Sequence, residues 1–211
     1  MQTYDSAAIK AEAKNLFQKD RNLYMMTALM VVAATLVLMG VSMGFLAMLL
    51  TGLVTVTADS VYLNGWRETP IALGDAISAT FDEGFLRKMG GMLWMEVKTF
   101  LWSLLFVIPG IVKALGYLLT PYILYDCPNV PAMEASRLSE RITRGHKSEL
   151  FITWLSFLGW MLLSALTLNI LYVVYVGPYM QLTYAGIYEE LKQLAIESGA
   201  VTQAELDGQT L

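Results

Sequence analysis

The sequence predicts an all-α, polytopic membrane protein: six transmembrane helices arranged as three hairpins, with amphipathic helices at the membrane interface between them. Three observations predict it. First, of 211 residues, 56% are hydrophobic and 15% charged, with a mean hydropathy of +0.52. Soluble domains are about 45–50% apolar and about 25% charged, so too little polar surface is present to clothe a water-facing fold. Second, apolar stretches long enough to cross a bilayer recur along the chain, separated by segments that carry the cations. Third, twelve of the fourteen Lys and Arg residues fall on one side of the arrangement these stretches define.

Residues 1–22 form an amphipathic N-terminal helix, with Ile9, Ala13, Leu16 and Phe17 at helical spacing and Lys10, Lys14 and Lys19 on other faces. No short apolar core follows a basic start here, so a cleavable signal peptide is not expected and the first span stays as an anchor. From Leu23 to Ala58 the chain carries no charge. As one helix this run would reach about 54 Å, against a hydrocarbon core of about 30 Å. It therefore folds back, and Gly40-Val41-Ser42-Met43-Gly44 is the expected turn between helices 23–39 and 45–63. The same five residues also fit the Gly-x-x-x-Gly pattern of helix contacts.

Thr69 and Pro70 then cap and start a second surface helix with Leu73, Ile77, Phe81 and Phe85 in one stripe. Met89 to Ile108 is the third span; Pro109-Gly110 breaks it, and Ile111 to Asp126 returns, interrupted by Pro121. Pro131 starts a third surface helix with Ala135, Leu138 and Ile142 on one side. Arg137, Arg141 and Arg144 lie along another side, where Glu140 can pair with Arg144. Leu150 to Leu168 and Ile170 to Tyr188 form the last hairpin, with Asn169 at its turn because asparagine tolerates left-handed backbone. The membrane domain covers 23–191. A polar tail, 192–211, follows, in which Thr202 and Glu205 can form a capping box. The stripes on the three surface helices fit either anionic lipid headgroups or the ends of the spans.

With six spans, the tails and the loops 64–88 and 127–149 share one side and hold every Lys and Arg except Lys98 and Lys113. The positive-inside rule makes that side cytoplasmic, which puts the chain in the inner membrane with both termini inside the cell.

A net charge of −4 argues against nucleic acid as a partner. One Cys and one His exclude a disulfide framework, a multi-cysteine zinc site and a multi-histidine metal centre. No cofactor is expected. No phosphate-cradling loop, nucleophile elbow or zinc-protease motif occurs, and Cys127 has no neighbouring base in sequence, so an enzyme is not expected.

Charges within spans are costly and are the first functional candidates. Asp59 lies about 6 Å from the cytoplasmic end of its span and Lys98 about 14 Å along its own, with Glu96 between them. The three can form a cluster that is either an ion or proton relay or a structural ion pair; Lys113 is expected to snorkel at the outer end. The inward-running spans carry polar faces: Thr55, Asp59 and Tyr62 in one, Tyr117, Thr120, Tyr122 and Tyr125 in another, Gly177, Gln181, Tyr184 and Tyr188 in the third. Such faces either line a cavity open to the cytoplasm or bond helices to each other. On the cytoplasmic side, Arg137, Arg141, Arg144, His146 and Lys147 form the basic surface expected to meet lipid or a partner.

A run of residues carries a family resemblance. It includes Leu101-Trp102-Ser103-Leu104-Leu105, Ile108-Pro109-Gly110-Ile111, Lys113-Ala114-Leu115, Tyr122-Ile123-Leu124, Pro128, Ser139 and Gly145-His146-Lys147. It continues through Phe151, Leu155-Ser156-Phe157-Leu158-Gly159-Trp160, Pro178-Tyr179, Thr183, Ala185 and Tyr188. Over about 102–192 the chain resembles the bacterial integral membrane proteins called Domain of Unknown Function 975, and its first hairpin resembles them in hydropathy alone. Asn169 stands where that family usually has glycine, and Thr143 where it usually has methionine. The resemblance implies a multi-pass membrane protein and supplies no activity.

The expected function is a non-enzymatic one: binding membrane lipids, or assembling with other membrane proteins or with itself. The alternative is a small transporter or channel using Asp59, Glu96, Lys98, Gln181 and Tyr184.

Overall fold

The structure, a computed structural model, describes residues 4–41, 45–81, 84–105 and 107–209, with the backbone alone at 38–41, 45–49, 103–105 and 107–109. Its elements are helices α1 (Ser6–Lys19), α2 (Arg21–Val41), α3 (Phe45–Trp66), α4 (Leu73–Phe81), α5 (Phe85–Leu105) and α6 (Val107–Tyr117). Then come α7 (Thr120–Asp126), α8 (Ala132–Ile142), α9 (Lys147–Leu166), a π-helical turn (Tyr172–Val176), α10 (Gly177–Glu197) and α11 (Gln203–Leu206). Among the described residues there is no strand, in keeping with the all-α expectation.

The centre is α3, which packs against α2, α5, α7 and α10. Two glycines permit this. A Cβ on Gly186 of α10 would stand 2.5 Å from the Trp66 ring, and one on Gly65 would stand 2.0 Å from the Tyr24 hydroxyl. A larger residue at Gly186 would have to displace the Trp66 ring, and one at Gly65 the Tyr24 hydroxyl.

The helix breaks differ from the expected ones in instructive ways. α2 ends at Val41 and α3 begins at Phe45; Ser42, Met43 and Gly44 of the expected turn lie outside the described residues. Pro109 and Gly110 do not separate the third and fourth helices but sit in the first turn of α6. Proline costs nothing there, because first-turn N–H groups have no intrahelical partner. The returning half of that hairpin is itself split, into α6 and α7. Pro121 falls in the first turn of α7, and Ser139 of α8 mends the gap: its hydroxyl donates to the Gly116 carbonyl at 2.7 Å and accepts from the Leu119 N–H at 3.2 Å. Asn169 does turn the last hairpin, with φ of 64° next to Leu168 at 51°. Beyond it Pro178 cannot donate into the preceding turn, and the chain widens into the π-helical turn before α10.

The three amphipathic stripes have different fates. In α1, Ile9, Ala13, Leu16 and Phe17 are buried, and the helix lies on α10. In α8, Ala135, Leu138 and Ile142 are buried against α5, α6 and α7. Both stripes are therefore protein core. α4 does the opposite: it buries Ala76 and Thr80, with the Thr80 hydroxyl 2.8 Å from that of Thr57, and turns Ile77 and Phe81 outward.

Only α9, among the described residues, is both long and apolar enough to cross a bilayer; Arg21–Val37 of α2 is a shorter apolar stretch. Six crossings are not supported by this combination of length and apolarity among the described residues. α6, with 11 residues, spans about 16 Å, roughly half a hydrocarbon core. Large apolar side chains nevertheless face outward over much of the surface, among them Leu29, Leu36, Leu101, Ile111, Ile152, Leu155, Leu162, Leu166 and Ile170.

Candidate functional site

Part of each expected polar face, from α3, α6, α7 and α10, meets in one place. Thr55 and Asp59 of α3, Tyr117 of α6, Pro121 and Tyr122 of α7, and Gln181 and Tyr184 of α10 line a single cavity of about 300 Å³. Met92, Met95, Glu96 and Thr99 of α5 complete the wall. Residues three or four apart on a helix share a face, so Thr55 with Asp59, and Gln181 with Tyr184, reach the same space once α10 lies along α3. The size is at the small end for a ligand pocket, which is about 300–1,000 Å³. Thr55 and Gln181 also border a second hollow of about 70 Å³ towards Ala28 and Val31 of α2.

Three polar atoms in the cavity wall are buried without a hydrogen-bond partner among the described residues: Asp59 Oδ1, Glu96 Oε2 and the Tyr122 hydroxyl. Asp59 is 3% exposed and Tyr122 2%. An uncompensated buried carboxylate costs several kcal/mol as an ion, so carboxylates held this way need either a proton or a cation.

Lys98 does not supply that cation. The expected cluster of Asp59, Glu96 and Lys98 does not form: the two acids share the cavity, while the Lys98 ammonium donates to Ser136 Oγ at 2.6 Å and lies 4.4 Å from the centre of the Tyr117 ring. α8 captures it, and captures Lys113 too, whose Nζ is 2.5 Å from Glu140 Oε1. Lys113 is thus an ion-pair partner instead of a snorkelling residue.

The basic surface is partly consumed in the same way. Glu140 takes Lys113 and, at 3.9 Å, Lys147, instead of pairing with Arg144. Burial works against the Glu140 charge, but the bond from Lys113 holds its carboxyl below the usual range. Arg141 grips Glu205 at 2.6 Å and the Ala200 carbonyl. His146 Nδ1 lies 3.1 Å from Glu149. Arg137, paired with Glu134 within its own helix, remains 71% exposed, and Arg144 is exposed. Of the five candidates, Arg137 and Arg144 face outward most freely.

A second charged cluster closes the helix ends nearby, and sequence reasoning missed it. Arg67 Nη2 is 2.6 Å from Asp126 and its Nε donates to Glu189 at 2.6 Å. Lys192 and the Tyr188 hydroxyl both donate to Asp126 at 2.8 Å. The Tyr188 ring stacks on Tyr122, with centroids 5.4 Å apart, so the cluster adjoins the cavity wall. The only local hint was Glu189 three residues before Lys192; the other partners are about sixty or more positions apart.

The family described as "Protein of unknown function (DUF975)" matches residues 8–195. The chain belongs to that family. None of the curated proteins and none of the solved structures compared with it matches. The DUF975 match begins in α1 and runs to the end of α10, so it takes in every helix of the cavity, including the first hairpin, which the sequence likened to the family by hydropathy alone. Among the described residues no group of three or more His, Cys, Asp or Glu is placed to hold a metal ion. Cys127 is buried, and burial, with Asp126 beside it, pushes its thiol up to about 11; it is a poor nucleophile at neutral pH.

Proposed function

We propose that this DUF975 chain is a multi-pass protein of the inner membrane, both termini inside the cell, in which the cavity between α3, α5, α6, α7 and α10 admits a small polar solute, as in a small transporter or channel. The observation that carries the reading is the convergence of three helices' polar faces, with two carboxylates, on one space. Polar groups at membrane depth belong to bundle interiors and substrate or ion paths. The outward apolar side chains of α2, α5 and α9 suit lipid contact, since soluble monomers rarely expose such surface contiguously. In this reading α6 and α7 together form the fourth crossing, bent at Leu118-Leu119. The role is non-enzymatic.

Binding of lipid or of a protein partner through Arg137, Arg141, Arg144, His146 and Lys147 is the second reading. The outward positions of Arg137 and Arg144 favour it; the intramolecular pairs of the other three count against it. Its test is whether Arg137→Gln with Arg144→Gln changes binding to anionic vesicles.

The cavity reading is tested with Gln181→Cys in a Cys127→Ala background, in membrane vesicles. A small neutral maleimide should modify Cys at 181 from the aqueous phase, and cysteine placed at the buried Leu182 should resist it. Equal resistance at both positions overturns the reading.

A further inference from the structure

Resting on the reading of the cavity as a solute site, we infer that its ligand is a small organic ammonium ion, held by Asp59 and Glu96. The buried carboxylate of Asp59 and the half-buried one of Glu96 face this space, each with a buried oxygen that no described group bonds, and the unpartnered Tyr122 hydroxyl lines the same wall. The chain has cations nearby but has committed each elsewhere. Lys98 is on Ser136 and the Tyr117 ring, Lys113 on Glu140, Arg87 on the carbonyls of Leu124, Cys127 and Val130, and Lys88 on that of Ala79. As ions, these carboxylates must therefore draw their positive charge from outside the chain.

The lining says which kind of cation. A water molecule occupies about 30 Å³, so a bare alkali ion would leave most of a 300 Å³ space unfilled. Calcium seeks about six to eight oxygen ligands, and the two acids here are not joined by a third. The rest of the wall suits an alkyl group carrying a cation. Met92 and Met95 are soft apolar surfaces that adapt to an irregular chain, and the Tyr184 ring, unlike that of Tyr117, which already carries Lys98, is left to attract an ammonium group. An anion would meet two carboxylates and no cation.

The probe is n-butylammonium chloride, against n-butanol and sodium butyrate as neutral and anionic compounds of similar size, on the full chain in lipid nanodiscs. Butylammonium should raise the Tm saturably, and the other two should not. Asp59→Asn and Glu96→Gln should each weaken its binding by roughly tenfold or more, as loss of a charge-assisted contact does, while the outward-facing Arg144→Gln leaves it unchanged. A rise in Tm with butanol equal to that with butylammonium overturns the inference, as does undiminished binding in the Asp59→Asn, Glu96→Gln double variant.

Should those variants fail to fold, the carboxylates can be left intact and the Cys at 181 used instead. Butylammonium should slow its modification by maleimide, and butanol should not; equal protection, or none from butylammonium, overturns the inference alone. If maleimide never reaches Cys at 181, the solute-site reading falls and the ammonium site with it.

Discussion

Asp59 and Asp126 are both buried or nearly so, both belong to the packing of α3 against α7 and α10, and have opposite surroundings. Asp126 has Arg67, Lys192 and the Tyr188 hydroxyl on its two oxygens. Asp59 has a buried oxygen with no hydrogen-bond partner among the described residues. One stacked pair of rings, Tyr122 on Tyr188, separates the two settings. The same residue type thus sits in two settings in one small bundle. Where the chain completes the charge balance, the aspartate fastens helices; where the chain leaves it open, the aspartate is available to something else.

The comparison breaks most visibly at Arg67. Arg67→Ala strips both Asp126 and Glu189 of their shared partner. A fully buried pair broken on one side costs about 3–5 kcal/mol; with Arg67 31% exposed, a loss of about 2–3 kcal/mol is expected, read as a lower Tm in nanodiscs. Arg67→Lys should recover part of it. A smaller effect of opposite sign belongs to Asp59. Asp59→Asn removes a charge with no partner and should leave the protein as stable as before or up to about 1 kcal/mol more so. A large loss of stability from Asp59→Asn would mean that this carboxylate, too, fastens the bundle.

The smallest effect concerns an ion pair at the edge of the fold. Arg141 bonds both oxygens of Glu205, and those bonds bring the Glu205 carboxyl down from 4.5 to about 2. A carboxyl lowered on folding stabilises fully above its unfolded value and loses that contribution as the pH falls through the folded one. The segment around α11 should accordingly loosen between pH 4.5 and about 2. Pepsin cleavage near residues 198–209 should rise over that window relative to Arg141→Gln, which lacks the pair at every pH.

What could be read from the sequence divides along the same line. Thr55 with Asp59, and Gln181 with Tyr184, are spaced by helical turns, so the polar face is written locally and its helix period reveals it. The apolar stripes of α1, α4 and α8 are equally plain. What those stripes meet is not, because a row of Ala, Leu and Ile fits protein or lipid alike; α1 and α8 meet protein while α4 turns Ile77 and Phe81 out. The ion pairs were the least legible. Lys98 finds Ser136 and Lys113 finds Glu140 because α8 folds back over α5 and α6, and no periodicity encodes that return. Nor does composition tell Asp126 from Asp59.

The π-helical turn at Tyr172–Val176 carries a consequence of phase. A wide turn holds one residue more than an α-helical turn, and each residue advances a helix by about 100°. Everything downstream is clocked by that offset, including the side of α10 on which Gln181 and Tyr184 stand. Deleting one residue from the stretch would let an ordinary α-helical turn cover the same rotation and leave both side chains on their present side, whereas deleting one between Val176 and Gln181 would swing both by about 100°, with the composition of the bundle almost untouched.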